Sequence, residues 1–103
     1  MENMSVNITE EMIHSLEEKG FKRWQKGSMD RLYVNACNLG LDVERYNTGN
    51  VKRAYFNGNH VSNSEGRRML VAKTYIDLKS GRVFSDNDTL KAAVLEILGN
   101  VEE

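Results

Sequence analysis

The sequence predicts an α+β fold, a mostly antiparallel sheet of hairpins in ββα-type units with an N-terminal, a middle and a C-terminal helix. Three observations predict it: apolar residues recur at helical spacing near both chain ends, alternating segments fill the middle, and Gly- and Asn-containing turns separate them. We expect a single domain over residues 1–103, with a flexible lead at 1–6 and a polar tail at 100–103.

The first helix is predicted over residues 8–19. Asn7 followed by Glu10 three residues later fits a capping box, and an apolar stripe follows at helical spacing. Gly20 fits the left-handed position just after a helix end, and Phe21 supplies the apolar contact of a Schellman stop.

The first hairpin is predicted from residues 21–25 and 31–35, because alternation with period two flanks a turn at 26–28. Asn35 can then cap a short helical turn at 36–39, which a glycine closes.

The second hairpin follows a single strand at 41–46 and a turn at 47–50. Its own strands are predicted at 51–56 and 59–62. They are joined by Asn57-Gly58, the strongest short hairpin signal.

The middle helix is predicted to begin after Ser62, which forms a capping box with Glu65, and to run to about Lys73. Gly66 lies inside this helix and disfavours it by roughly 1 kcal/mol relative to Ala.

The third hairpin is predicted from residues 74–78 and 82–85, and polar residues at 86–88 start the last helix. Gly99 is predicted to stop this helix. Its apolar stripe should be buried against the sheet and comprises Leu90, Val94, Ile97 and Leu98.

Positive charge is concentrated in the middle of the chain. Residues 19–82 hold 13 Lys and Arg against five Asp and Glu, a net charge of +8, whereas both ends are acidic and the whole chain carries −1. Such asymmetry indicates a nucleic-acid surface or a contact with an acidic partner. In the alternative, acids of the end helices neutralise the middle internally.

Basic residues alternate with aromatic ones, which predicts a nucleic-acid surface because cations follow phosphates and rings stack on bases. In the alternative, Trp24 and Tyr33 lie in the core, the strand cations line a solvated sheet face, and the arginines of the middle helix only favour its macrodipole. We expect the basic face on the first two hairpins and the middle helix only. The candidate partner or nucleic-acid contacts are Lys22, Arg23, Trp24, Lys26, Arg31, Tyr33, Lys52, Arg53, Tyr55, Arg67 and Arg68.

No residue pattern predicts catalysis, a metal site or a cofactor. His14 and His60 lack ligand spacing and fit exposed positions, and Cys37, the one cysteine, is expected to be a small buried side chain. No apolar run is long enough to span a membrane, and the first residues lack the apolar segment of a secretory signal. We therefore expect a cytoplasmic protein that is not an enzyme.

Three strings resemble small accessory proteins of Firmicute phages and conjugative elements: GFKRW at 20–24, MDRLYVN at 29–35 and KTYIDLKSG at 73–81. The resemblance covers residues 20–90. Some mobile-element proteins of this size are anti-CRISPR inhibitors, which bind the effector protein, its guide RNA or both. The resemblance thus implies stoichiometric binding of a host defence effector, with no catalytic residues.

The predicted function is non-enzymatic binding of a nucleic acid or nucleoprotein through the basic central region of a mobile-element protein. The alternative is a protein–protein inhibitor or oligomerisation module, including a homo-oligomer, that docks through the acidic terminal helices. Exposure of Trp24 favours the first interpretation, and burial would remove its main contact residue.

Overall fold

The computed structural model describes residues 8–101 and divides the strands between two antiparallel sheets. Within these residues it has three α-helices and seven strands, which confirms the α+β class and the positions of the helices in the chain. In chain order the elements are α1 (Glu10–Glu18), β1 (Lys22–Lys26), β2 (Met29–Tyr33), a 3-10 helix (Ala36–Leu39), β3 (Leu41–Arg45), β4 (Val51–Phe56), β5 (Asn59–Val61), α2 (Asn63–Val71), β6 (Thr74–Asp77), β7 (Arg82–Ser85) and α3 (Asp88–Val101).

The sheets regroup the three hairpins. The four-stranded sheet has the order β1-β2-β6-β7, so β2 pairs with β6 and joins the first hairpin to the third. The second hairpin, β4 and β5, forms a separate three-stranded sheet with β3. The basic face expected on the first two hairpins is therefore not one sheet face. The first hairpin lies beside the third, and the second belongs to the other sheet.

The ends of α1 show which sequence signals set its length. Its N-cap is Thr9, whose hydroxyl accepts a hydrogen bond from the Met12 N–H at 3.2 Å, while Asn7 lies outside the described residues. At the other end, Phe21 N–H bonds to Leu16 C=O at 3.1 Å and Gly20, at φ 108°, takes the left-handed position. These contacts form the predicted Schellman stop.

The other helix ends match the prediction in part. Ser62 caps α2 by accepting from the Glu65 N–H at 3.0 Å, but the helix ends at Val71 because Ala72 is already extended toward β6. Asn87 caps α3 by accepting from the Leu90 N–H at 3.1 Å. The predicted stop at Gly99 is wrong: this glycine does not adopt a positive φ, and α3 runs through it to Val101.

One apolar core connects both sheets with the helices. Leu32, Ile76 and Val83 enter it from the four-stranded sheet, and α3 packs against β7 while α2 packs against β4. Of the stripe on α3, Leu90, Val94 and Leu98 are buried, but Ile97 is only half-buried. Residues four apart form the buried line along α3, and Ile97 lies beside it. The core of the described residues thus lies on one side of the four-stranded sheet.

Candidate nucleic-acid interface

The other side of the four-stranded sheet, here called the outer face, is defined by strand alternation and register. Gly27, at φ 59°, takes the first central position of a two-residue turn that pairs Lys26 with Met29 and thereby fixes which β1 residues point outward. Two rows then cross all four strands, Lys22-Tyr33-Tyr75-Phe84 and Trp24-Arg31-Asp77-Arg82. With Lys26 and Met29, these ten residues form the outer face.

None of the ten outer-face residues is buried, whereas Leu32, Ile76 and Val83 between them are at most 5% exposed. Trp24 is 39% exposed and Phe84 is 42% exposed, which is unusual for rings of this size. The alternative that Trp24 and Tyr33 lie in the core is therefore wrong, because both belong to the face that turns away from it.

Four outer-face rings form a continuous series, here called the aromatic ladder, in the order Trp24, Tyr33, Tyr75, Phe84. Neighbouring ring centroids are 6.2, 5.0 and 5.2 Å apart, and the geometry passes from edge-on to tilted to stacked. These separations are within the range of favourable aromatic pairs. The inner two rings are half-buried by their neighbours, so Trp24 and Phe84 offer the most accessible ring surface.

The outer face is cationic, because it carries one acid, Asp77, and four cations: Lys22, Lys26, Arg31 and Arg82. Within residues 8–101, no carboxylate lies within 4.0 Å of these four groups. Arg31 instead donates to the Tyr33 hydroxyl at 2.9 Å and lies 4.4 Å above the centroid of the Tyr75 ring. The hydrogen bond to Tyr33 raises the pKa of Arg31. Its guanidinium is charged at physiological pH, as arginine always is.

Arg23 alternates to the opposite side of β1, away from the outer face. Its guanidinium forms two hydrogen bonds to Asp30, at 2.9 and 2.7 Å, and lies 3.7 Å from Glu10 on α1. Its charge is therefore neutralised within the protein. For Arg23, this agrees with the alternative that acidic residues neutralise the basic middle of the chain.

The remaining candidates lie on other elements. On the three-stranded sheet, Arg53 is 3.6 Å from Glu44, and Tyr55 packs edge-on against His60. Lys52 lies over the Tyr46 ring at 5.9 Å. The exposed charged residues of β3 and β4 are Asp42, Glu44, Arg45, Lys52 and Arg53, so that sheet carries a net charge of +1, against +3 on the outer face.

The two arginines of α2 differ in their surroundings. Arg68 bonds to Glu65 on its own helix at 2.8 Å, which is a structural pair. Arg67 is exposed and lines a groove of about 400 Å³ with Arg45, Leu70 and Val71. Neither belongs to the four-stranded sheet. Five of the eleven predicted residues thus come together on the outer face: Lys22, Trp24, Lys26, Arg31 and Tyr33.

Sequence reasoning missed Tyr75, Arg82 and Phe84, which lie on the outer face together with Met29 and Asp77. The alternation within Thr74–Asp77 and Arg82–Ser85 already assigns these three to one side of their hairpin. What the sequence does not give is that β6 pairs with β2, and so brings the two sets of rings together.

Other reactive side chains do not form a site. His14 and His60 are exposed, as expected, and Cys37 is also exposed, so the expectation that it is buried is wrong. Ala36 and Leu39 supply the buried side chains of its 3-10 helix. Within the part of the chain that the structure describes, no group of three His, Cys, Asp or Glu could hold a metal ion, and no helix has the length and apolar character to cross a bilayer.

Comparison of this chain with models of protein families, with curated proteins and with solved structures finds no match.

Proposed function

We propose that the protein binds single-stranded nucleic acid on its outer face and does so without catalysing a reaction. The observation that carries this proposal is the aromatic ladder on a sheet face that none of the described helices covers, flanked by four cations without carboxylate partners in residues 8–101. Unpaired bases stack on aromatic rings of exposed sheets, and Lys or Arg beside them contact the phosphates.

The near-neutral charge of the whole chain does not oppose this proposal. Interactions between exposed charges are screened over about 8 Å at physiological salt, so a bound strand responds mainly to the charges next to it. The outer face carries four cations and one acid, whereas the chain as a whole carries −1. Base stacking contributes about 1–3 kcal/mol per base, so two accessible rings supply much of the affinity that modest charge cannot.

The resemblance to mobile-element proteins extends the proposal. An inhibitor that occludes a guide RNA of a defence effector needs a surface for unpaired RNA, which the outer face would supply. This biological setting, like docking through the acidic terminal helices, stays a prediction.

Trp24 provides a direct test because it is the only tryptophan of the chain. We expect short labelled oligouridine and oligothymidine to quench its fluorescence at low salt. Phe84→Ala removes a ring at the far end of the ladder and should weaken binding about tenfold or more. Tyr55→Ala, on the three-stranded sheet, is the matched control and should bind like the parent.

Salt dependence gives a second measure of the same proposal. Each phosphate contact to a single strand contributes a slope of about −0.7 to log K against log salt, so four contacts give about −3. Absence of quenching at low salt would overturn the proposal. If the parent binds no oligonucleotide but self-associates, and Phe84→Ala abolishes this self-association, the outer face is a protein interface instead.

A further inference from the structure

A pocket of about 260 Å³ opens at one end of the outer face. Lys22 and Tyr33 line it from the first cross-strand row, and Asn35, Asn38 and Lys73 line it from beyond that row. The Val34 N–H bonds to the Thr74 C=O at 3.1 Å, which extends the β2–β6 ladder to the pocket. The pocket is thus continuous with the aromatic ladder.

Its lining is suited to an anion. Two lysines and no carboxylate line it, and within residues 8–101 neither ammonium group has a carboxylate within 4.0 Å. Asp86 bonds to the Lys73 backbone N–H at 3.2 Å but does not line the pocket. A larger groove nearby, of about 500 Å³, is lined by three acids, Glu65, Asp86 and Asp88, against one cation, Arg68, and so has a net negative lining.

Two side-chain amides add hydrogen-bond donors. The Asn35 Oδ1 accepts from the Asn38 N–H at 3.0 Å, which fixes the Asn35 amide and leaves its NH2 group without an acceptor in residues 8–101. The Asn38 amide packs against Gly20, where any Cβ would collide with it. Ammonium and amide N–H groups around one small pocket are the donors that a phosphate requires.

We infer that this pocket binds the phosphate of one nucleotide of the bound strand, next to the Tyr33 ring. The inference rests on the proposed function and adds a definite subsite to it. The same phosphate chemistry could come from the strand backbone or from a free nucleotide, and the experiment distinguishes the two.

The first arm uses oligonucleotide binding. Lys73→Gln should weaken oligouridine binding about tenfold, because a charge-assisted contact is lost, and should reduce the salt slope by about 0.7. Lys79→Gln is the matched control: it removes the same charge beyond the opposite end of β6 and should leave both values unchanged. Lys73 is exposed, so the melting temperature should stay that of the parent.

If Lys73→Gln binds like the parent while Phe84→Ala does not, the pocket assignment is overturned and the proposed function stands. If the parent binds no oligonucleotide at all, the proposed function fails by itself.

The second arm uses the full chain and nuclear magnetic resonance. Uridine monophosphate should shift the amide signals of Gly20, Asn35 and Asn38, whereas uridine should not. Shifts with the mononucleotide that are weaker than with oligouridine support the strand backbone as the source. If neither uridine monophosphate nor oligouridine shifts these signals, the inference is overturned. If inorganic phosphate alone shifts them as much as uridine monophosphate does, the assignment to a nucleotide is overturned.

Discussion

Arg23 on β1 and Asp30 on β2 form an ion pair on the side of the sheet opposite the aromatic ladder. Two parallel hydrogen bonds, Nε to Oδ1 at 2.9 Å and Nη2 to Oδ2 at 2.7 Å, fix both planar groups. The hydrogen bond from Arg23 is the main cause that lowers the pKa of Asp30, and it outweighs the opposing effect of burial. This pair adds a side-chain contact between β1, which carries Trp24, and β2 to the backbone pairing of the two strands.

The lowered pKa gives the pair a definite pH dependence. Because the folded pKa of Asp30 lies below its unfolded value of about 3.9, the stabilisation is complete above that pH and is lost as pH falls through the folded pKa. We expect Asp30→Asn to lower the melting temperature at neutral pH and to flatten its decline below about pH 4. Thermal unfolding followed by circular dichroism across pH measures both.

Glu44→Gln is the control for the Asp30 prediction, because the Glu44–Arg53 pair is longer and more exposed. It should leave the melting temperature nearly unchanged. If the melting temperature of Asp30→Asn fell as steeply below about pH 4 as that of the parent, the role assigned to Asp30 would be contradicted.

At the scale of elements, the sequence predicts each hairpin and helix because their signals are local. Asn57 and Gly58 adopt the positive φ angles, 53° and 85°, of the hairpin turn that their sequence favours. The β2–β6 pairing has no such local signal, since it joins residues 42 to 46 positions apart, from Tyr33 with Tyr75 to Arg31 with Asp77, and depends on the shared core. Alternation within β1 also separates Arg23 from Trp24, although the two are adjacent in the sequence.

Gly66 shows how packing between elements overrides helix propensity. A Cβ at this position would lie 2.6 Å from the buried Ala54 Cβ, so α2 approaches β4 closely only because residue 66 has no side chain. We expect Gly66→Ala to destabilise the protein by about 1–3 kcal/mol in urea unfolding, despite the better helix propensity of alanine.

Gly99 in α3 is the matched control for Gly66, since a Cβ there meets nothing within 4 Å. Gly99→Ala should stabilise the protein by up to about 1 kcal/mol. Adding Ala54→Gly to Gly66→Ala should recover part of the loss, because it removes the colliding atom. If Gly66→Ala proved as stable as the parent, close packing of α2 on β4 would not be the reason for this glycine.

At the scale of the whole molecule, the basic middle of the chain is divided by its three-dimensional arrangement. The arginines at 23, 53 and 68 each lie within 4.0 Å of a carboxylate on a nearby strand or the same helix. The outer-face cations have no such partner among residues 8–101. The net charge of residues 19–82 therefore overstates the positive surface that is available to a ligand. Which cations can bind a ligand depends on where each one lies on the sheets and helices.

Two charge-reversal variants distinguish the effect of where the cations lie from the effect of the net charge of the chain. Lys22→Glu, Lys26→Glu and Arg82→Glu together reverse the outer face, whereas Lys52→Glu, Arg53→Glu and Arg67→Glu reverse cations on the three-stranded sheet and α2. Both change the formal charge of the chain from −1 to −7. Because these side chains are exposed, both variants should melt within a few degrees of the parent. We expect only the first to abolish oligonucleotide binding at low salt. Equal losses in both would mean that binding follows net charge, and loss in the second alone would move the binding surface to the second hairpin and α2.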